Sequence, residues 1–371
     1  MCPHAINEVH RPKHTPRALI EKLRKPLGAA ERVQLNGIGE PLASPSLWMA
    51  LEAGVLSADA QATFNTNLTL MSGNRLRRLV DCPTRLALNV SLDAATPETY
   101  RRIRGFDFAI PLANIKALVA ARRDNQHPNI MLNMTLMREN IEEAPAFVEL
   151  AHSLGVDSIG LWHLNHISEA EMAKYVITRD GWTFNYEEQG LWNFPKLSNE
   201  MVRLSQRKGF ELDLPIHFDQ SKEIFFPEPQ EAAATEADDE ISPLAEPETK
   251  ETVAHCSHPW DAMLILSDGT VKVCCYAAPI GNLNDQSFEQ IWNGEHYRRL
   301  RSDLGRNVVS AVCEAATCKY VANTLASVTD LDAAAPAPTA QALRPAWARR
   351  WIDRLRSGHW PWVGPATSAP S

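Results

Sequence analysis

Between residues 31 and about 165 the chain alternates short apolar runs with segments of helical period, and this alternation constrains the fold more than any other feature. Residues 32–35, 62–65, 86–92, 130–136 and 156–164 read as strands. A helix from about Thr15 precedes them, and helices follow around 74–80, 112–123 and 143–154. Another opens at a Ser44 cap with Pro45 as its first residue. Five such units without hairpin signals predict parallel strands joined by crossover helices. Ligands of such sheets bind at the carboxyl ends of the strands, so the loops there are the first place to look for chemistry.

The rest of the chain is organised differently. A helix is expected around 197–207 and a short strand near 210–214. Residues 227–251 hold nine acidic residues and one lysine, too polar and proline-broken to pack, so residues 216–255 read as an acidic linker. This run accounts for the whole formal charge of -8 and leaves the remainder near neutral, so no nucleic-acid partner is implied. The expected division is 1–215, the linker, a cysteine-bearing module over 256–325, and an Ala/Pro linker with a Trp/Arg-rich tail over 326–371. No membrane span or secretory signal is legible, which points to the cytoplasm.

Two strand ends carry candidate ligand contacts. Gly37-Ile38-Gly39-Glu40-Pro41 follows the first strand, where glycines permit a tight turn and the glutamate offers an anionic acceptor. Ser91 and Asp93 end a later strand, and Thr96 with Pro97 opens the helix that carries Arg101, Arg102 and Arg104. A hydroxyl, a carboxylate and an arginine there suit a small zwitterion. The plainer alternative is a turn with capping side chains and a solvated arginine face.

Five of the seven cysteines fall between residues 256 and 318. Asp268-Gly269 reads as a hairpin turn between residues 264–266 and 270–273, placing Cys256 and Cys274 on neighbouring backbone, with Cys313 and Cys318 able to close the site. Four thiolates suit structural zinc or an iron–sulfur cluster, and without an export signal disulfides are the weaker reading. Cys275 is expected to be a buried small residue, and Cys82 a structural one.

In order, the motifs are Gly37–Leu42, Thr66–Leu70, Ser91–Gly105, Met137–Asn140, then Cys256-Ser257-His258-Pro259-Trp260, Asp268–Val271, Cys274-Cys275, Gly281-Asn282-Leu283 and Ile291-Trp292-Asn293-Gly294. Together they resemble radical S-adenosylmethionine enzymes carrying a C-terminal SPASM-type domain. The resemblance implies a partial (β/α)6 TIM-like barrel, here lacking its first strand, and a small cysteine-rich α+β domain. It implies that Gly37, Gly39 and Glu40 hold the amino group of S-adenosylmethionine, that Ser91 contacts its ribose or carboxylate, that Arg104 pairs with the carboxylate, and that Asn67 lines the same pocket. Cys256, Cys274, Cys313 and Cys318 would bind one auxiliary 4Fe–4S cluster, the shortened form of the domain; Cys313-x4-Cys318 departs from the more usual Cys-x2-Cys.

The family's Cys-x3-Cys-x2-Cys loop, which binds the cluster that reduces S-adenosylmethionine, is represented only by Cys2, at the position of its third cysteine. Met1 is therefore read as an internal methionine of a longer protein, in preference to the alternative that the chain starts there and cannot anchor that cluster. On either reading, the polypeptide as written is expected to be inactive. If intact, the resemblance implies a 5′-deoxyadenosyl radical, hydrogen abstraction from a small-molecule or peptide substrate, and a reductant such as flavodoxin or ferredoxin. A non-catalytic zinc- or cluster-binding α/β scaffold is the alternative. In the tail, Trp347, Trp351 and Leu355 alternate with arginines, and residues 345–362 read as a basic amphipathic helix for a membrane surface or a partner, or one that packs on its own domain.

Overall fold

The computed structural model describes residues 14–37, 39–122, 127–165, 169–179, 181–218, 224–227, 256–306, 310 and 312–313. The chain divides into two compact units at Ala237/Asp238. Expectations for Cys2, Cys318, nearly all of the acidic run and the Trp/Arg-rich tail lie outside the described residues.

The first unit is a partial TIM-like barrel. It opens with α1 (Arg17–Lys22) and α2 (Arg24–Ala29), then β1 (Arg32–Gln34), α3 (Pro45–Ala50), β2 (Gln61–Thr66), α4 (Gly73–Val80) and β3 (Arg85–Ser91). Next come α5 (Pro97–Arg104), α6 (Ala109–Ala121), β4 (Asn129–Leu136), α7 (Ala144–Leu154) and β5 (Ser158–His163). After α8 (Glu169–Met172), a hairpin of β6 (Val176–Arg179) and β7 (Trp182–Asn185) and α9 (Tyr186–Gln189), the chain runs through α10 (Pro195–Glu211) into β8 (Ile216–Phe218). Six strands form one sheet in the order β1-β2-β3-β4-β5-β8, and every pairing in it is parallel.

Side-chain alternation decides what each face of this sheet does. Leu86, Leu88 and Val90 of β3 and Ile130, Leu132, Met134 and Leu136 of β4 are buried in one core with Ile115, Leu118, Phe147 and Val148 of the crossover helices. Each such side chain contributes about 1.5–3 kcal/mol by leaving water. The intervening residues Ala87, Asn89, Ser91, Met131, Asn133 and Thr135 stay partly accessible on the opposite face. Helix starts follow their sequence signals: Ser44 caps α3 ahead of Pro45, and Thr96 accepts from the Thr99 N–H ahead of Pro97.

The expected strand near 210–214 is instead the end of α10. Asp213 adopts a left-handed conformation (φ 52°), the Leu214 N–H bonds the Gly209 carbonyl at 2.9 Å, and the strand forms at Ile216–Phe218. The cause is packing: a Cβ on Gly209 would stand 2.6 Å from Ile216 Cδ1, so helix and strand close on each other only across glycine. The β6–β7 hairpin was not foreseen. Its Phe184 is buried with Ile103, Met137 and Leu164 in a small satellite core, ringed by Tyr175, Trp182 and Tyr186.

The second unit holds α11 (His258–Asp261), β9 (Leu264–Ile265), β10 (Thr270–Lys272), β11 (Gly281–Asn282), α12 (Phe288–Trp292) and α13 (Glu295–Gly305). Its antiparallel sheet has the order β11-β10-β9, and the turn falls at Asp268-Gly269 as the sequence predicts. Gly269 is left-handed (φ 86°), the conformation for which glycine is the low-cost residue. No helix among the described residues is long and apolar enough to cross a membrane.

Candidate functional site

The carboxyl ends of β1, β2 and β3 lie side by side, and each carries part of the predicted site. After β1, Gly39 takes φ 132°, a conformation that side chains disfavour, whereas a Cβ on Gly37 would meet nothing within 4 Å. Gly39 is thus needed for the turn itself, and Gly37 leaves open space beside it.

Glu40 is tied to the neighbouring strand end. Its Oε1 accepts from Thr66 Oγ1 at 2.6 Å and the Leu42 N–H at 3.2 Å, and its Oε2 accepts from the Asn67 N–H at 2.8 Å. A carboxylate has about four acceptor sites, so these bonds fix its orientation and leave room for one further donor such as an ammonium group. Asn67 serves through its backbone, because its side-chain Oδ1 turns back to accept from Thr69 N and Oγ1 at 2.9 and 2.7 Å. Leu68 is left-handed (φ 55°) and its carbonyl accepts from Asn114 Nδ2 of α6 at 2.8 Å, which anchors the loop.

Ser91 ends β3 partly accessible, two residues before Asp93. Asp93 is fully buried and left-handed (φ 61°). Its Oδ1 accepts from the Thr135 N–H at 2.7 Å, its carbonyl accepts from Asn140 Nδ2 at 2.8 Å, and its Oδ2 forms an ion pair with Arg104 Nη2. Arg104 Nε is buried with no hydrogen-bond partner, as is the Tyr100 hydroxyl one turn earlier. Burial pushes the Tyr100 phenol up to about 12, against a lowering influence from the Arg104 charge. A buried N–H without an acceptor costs about 1–3 kcal/mol, and an anionic group at this position would satisfy it. Glu143 locks the frame by accepting from Ala95 N, Thr96 N and Thr96 Oγ1 at 2.7, 3.1 and 2.6 Å. Of the other arginines on α5, Arg102 pairs with Glu139 at 2.5 Å.

Thr66 and Asn140 fall in motifs quoted above but were assigned no role there, and Glu143 was not singled out. Thr66 was discoverable as the residue beside Asn67 at the strand end. The links from Asn140 to Asp93 and from Glu143 to Thr96 span 47 residues and leave no local signal.

In the second unit Cys256, Cys274 and Cys313 are in no disulfide and are partly buried. Ala277 pairs with Cys313 in an antiparallel bridge, and its N–H bonds the Cys274 carbonyl at 3.3 Å, so the Cys313 segment runs beside the turn that Cys274 opens. Cys256 lies at the start of α11, with its Sγ 3.6 Å from His258 Nδ1. Cys275 is exposed rather than buried, and its carbonyl accepts from Lys272 Nζ at 3.2 Å. Among the described residues no three His, Cys, Asp or Glu side chains gather at one point. Cys82 of the first unit is buried, and burial pushes its thiol up, as befits a structural residue.

The domain's remaining polar centre is Arg301. Its guanidinium lies over the rings of Trp292 and Tyr297, 4.7 and 5.0 Å from their centroids. Its Nε donates to the Pro259 carbonyl at 2.7 Å and its Nη1 to the Trp292 carbonyl at 3.0 Å, while Nη2 is buried without an acceptor. Tyr297 is fully buried, its hydroxyl donates to the Ala262 carbonyl at 3.0 Å, and burial pushes its phenol up. The thiols of Cys256, Cys274 and Cys313 are soft donors of the kind that zinc or an iron–sulfur cluster takes.

Residues 3–151 match the model of the radical SAM superfamily, and residues 256–319 match the SPASM iron–sulfur cluster-binding domain. The chain joins a radical SAM domain to a SPASM domain. The fold agrees: Streptococcus suis SuiB superposes with a TM-score of 0.50 at 16% identity, over 77% of this chain and 60% of that one. SuiB bound to S-adenosylmethionine gives the same TM-score at 15% identity, over 82% of this chain and 63% of that one. A probable GTP 3′,8-cyclase from Saccharolobus solfataricus is 33% identical over 87 residues, 23% of this chain and 27% of that protein. A Saccharolobus islandicus counterpart is 34% identical over the same length. The chain thus spans about a quarter of the length of these curated relatives. Glu40, Asn67, Ser91 and Arg104 all lie in the radical SAM domain, and Cys256, Cys274 and Cys313 in the SPASM domain.

Proposed function

We propose that the protein acts in radical S-adenosylmethionine chemistry on a small-molecule or peptide substrate, with one auxiliary 4Fe–4S cluster in the SPASM domain. When bound, S-adenosylmethionine and a reduced 4Fe–4S cluster supply a 5′-deoxyadenosyl radical that takes a hydrogen atom from the substrate. The chain's own residues bind and orient. Glu40, fixed by Thr66 and Asn67, offers its remaining acceptor site to the ammonium group. Arg104, held by Asp93, offers its unpartnered Nε to the carboxylate, and Ser91 offers a hydroxyl between them. Glu40 is tied to the end of β2, and Arg104 of α5 is tied through Asp93 to the end of β3; a carboxylate and a guanidinium so anchored suit the two charges of an amino acid head group. The carrying observation is this pairing of a clamped carboxylate with a buried arginine N–H that lacks an acceptor. Cys256, Cys274 and Cys313, with Cys318, would ligate the auxiliary cluster, and the polar strand face behind the site would admit the substrate.

Calorimetric titration of S-adenosylmethionine into the full chain tests this reading. Glu40→Ala and Arg104→Ala should each weaken binding about tenfold or more, about 1.4 kcal/mol. Unchanged affinity in both would overturn it. Anaerobic reconstitution with iron and sulfide should give a brown protein, and a colourless protein retaining zinc would remove the auxiliary cluster.

A further inference from the structure

We propose that a cleft among the first helices of the radical SAM domain binds a phosphate monoester. The cleft measures about 400 Å³ and lies where α1, α3 and α4 meet. Arg17, Arg75 and Arg78 line it together with one acid, Glu52. None of Glu40, Asn67, Ser91 and Arg104 takes part in its lining, so it is separate from the strand-end site.

The inference comes from an imbalance of charge. Glu52 is already spent, accepting from Arg17 Nη1 and Nη2 at 3.4 and 3.0 Å. Arg75 donates to the Leu70 carbonyl at 2.5 Å and Arg78 to the Trp48 carbonyl at 3.4 Å, and among the described residues neither forms an ion pair. Three arginines against one glutamate leave a net charge of +2 in the wall. Trp48 is buried, and the Arg78 guanidinium lies over its ring, 4.4 Å from the centroid. That stack takes water from one face of the cation and restricts its rotamers before a ligand arrives, which lowers the entropy cost of binding one. Guanidinium forks match phosphate oxygens two at a time, and a dianion matches the +2 wall where a carboxylate would supply half the charge. The space far exceeds what a bare phosphate ion fills, and Leu42, Pro45 and Met49 give it an apolar side. The ligand is therefore a phosphate joined to a small organic body.

Phenyl phosphate is the probe. It is titrated into the full chain at constant chloride ionic strength and about pH 8, where the ester is a dianion. Calorimetry and the methyl resonance of Met49 in methyl-labelled protein follow the binding. A saturable shift of that resonance is expected. Benzenesulfonate, with the same ring and one charge, should bind about tenfold more weakly, and inorganic phosphate, with no ring, should also bind more weakly. Arg75→Gln and Arg78→Gln should each weaken phenyl phosphate about tenfold. No saturable response, equal affinity for the sulfonate or for inorganic phosphate, or full affinity in both variants would overturn the proposal. Arg75→Gln leaves the Trp48–Arg78 stack untouched, so it decides the matter if Arg78→Gln does not fold. The proposal stands or falls independently of whether the strand-end site takes S-adenosylmethionine.

Discussion

Asp93→Asn isolates the charge at the centre of the strand-end site. Asparagine tolerates the left-handed backbone at this position (φ 61°), so the substitution changes charge at little conformational cost. The amide oxygen can still accept from the Thr135 N–H, but the group facing Arg104 Nη2 becomes a second donor. Removing one partner of a buried pair costs about 3–5 kcal/mol. Because the Arg104 side chain is 23% exposed, solvent screens part of this, and we expect about 2–3 kcal/mol. Urea denaturation of wild type, Asp93→Asn, Arg104→Met and the double variant measures the loss, and the cycle should show coupling of about 1–2 kcal/mol. S-adenosylmethionine affinity should fall about tenfold in Asp93→Asn, because Arg104 loses its orienting partner. A single-variant cost below about 0.5 kcal/mol, or additivity across the cycle, would refute the reasoning.

Three further outcomes follow from the same structure. Asp157→Ala strips Arg122 of a bidentate partner at 2.9 and 2.6 Å, and the Ile130 N–H of its acceptor, so denaturation should show a loss of about 3–5 kcal/mol. Gly160→Ala would place a Cβ 2.2 Å from Asn133 Oδ1 and 2.5 Å from Trp162 Nε1, displacing the indole; a cost of about 1–3 kcal/mol and a shifted tryptophan emission are expected, and unchanged emission would contradict it. Burial holds the His127 imidazole below its usual value of 6.5, and its Nδ1 accepts from the Leu86 N–H at 3.4 Å. The unfolded chain therefore binds the proton more readily, so stability is complete above the unfolded pKa and falls as pH drops from 6.5 toward the folded value; His127→Gln should flatten that slope.

Strand positions from β1 to β5 were readable because the period of two in Leu86-x-Leu88-x-Val90 and Ile130-x-Leu132-x-Met134 is a local consequence of one buried face. The Thr96-Pro97 and Ser44-Pro45 helix starts were readable for the same reason, since caps act within a few residues. Local pattern failed at residues 210–214, where apolar residues near the end of a helix imitate a strand and only contact between Gly209 and Ile216 decides. It failed again at Cys275, whose exposure depends on the conformation after β10 rather than on hydrophobicity. At the candidate site the sequence located Glu40, Asp93 and Arg104, but not that Thr66 holds Glu40 or that Asp93 is spent on Arg104. Thr66 is 26 residues from Glu40 in the chain, and Glu143 is 47 from Thr96; such links exist only after the sheet has formed.

The aromatic hairpin β6–β7 reaches further than its size suggests. Phe184 packs on Ile103, the neighbour of Arg104, and on Met137 just past the end of β4. The ribbon thus packs behind the helical turn whose arginine Asp93 holds. Emptying this core, as Phe184→Ala would, should loosen the turn that carries Arg104 and so reach the proposed S-adenosylmethionine contact although every residue that touches the guanidinium is intact.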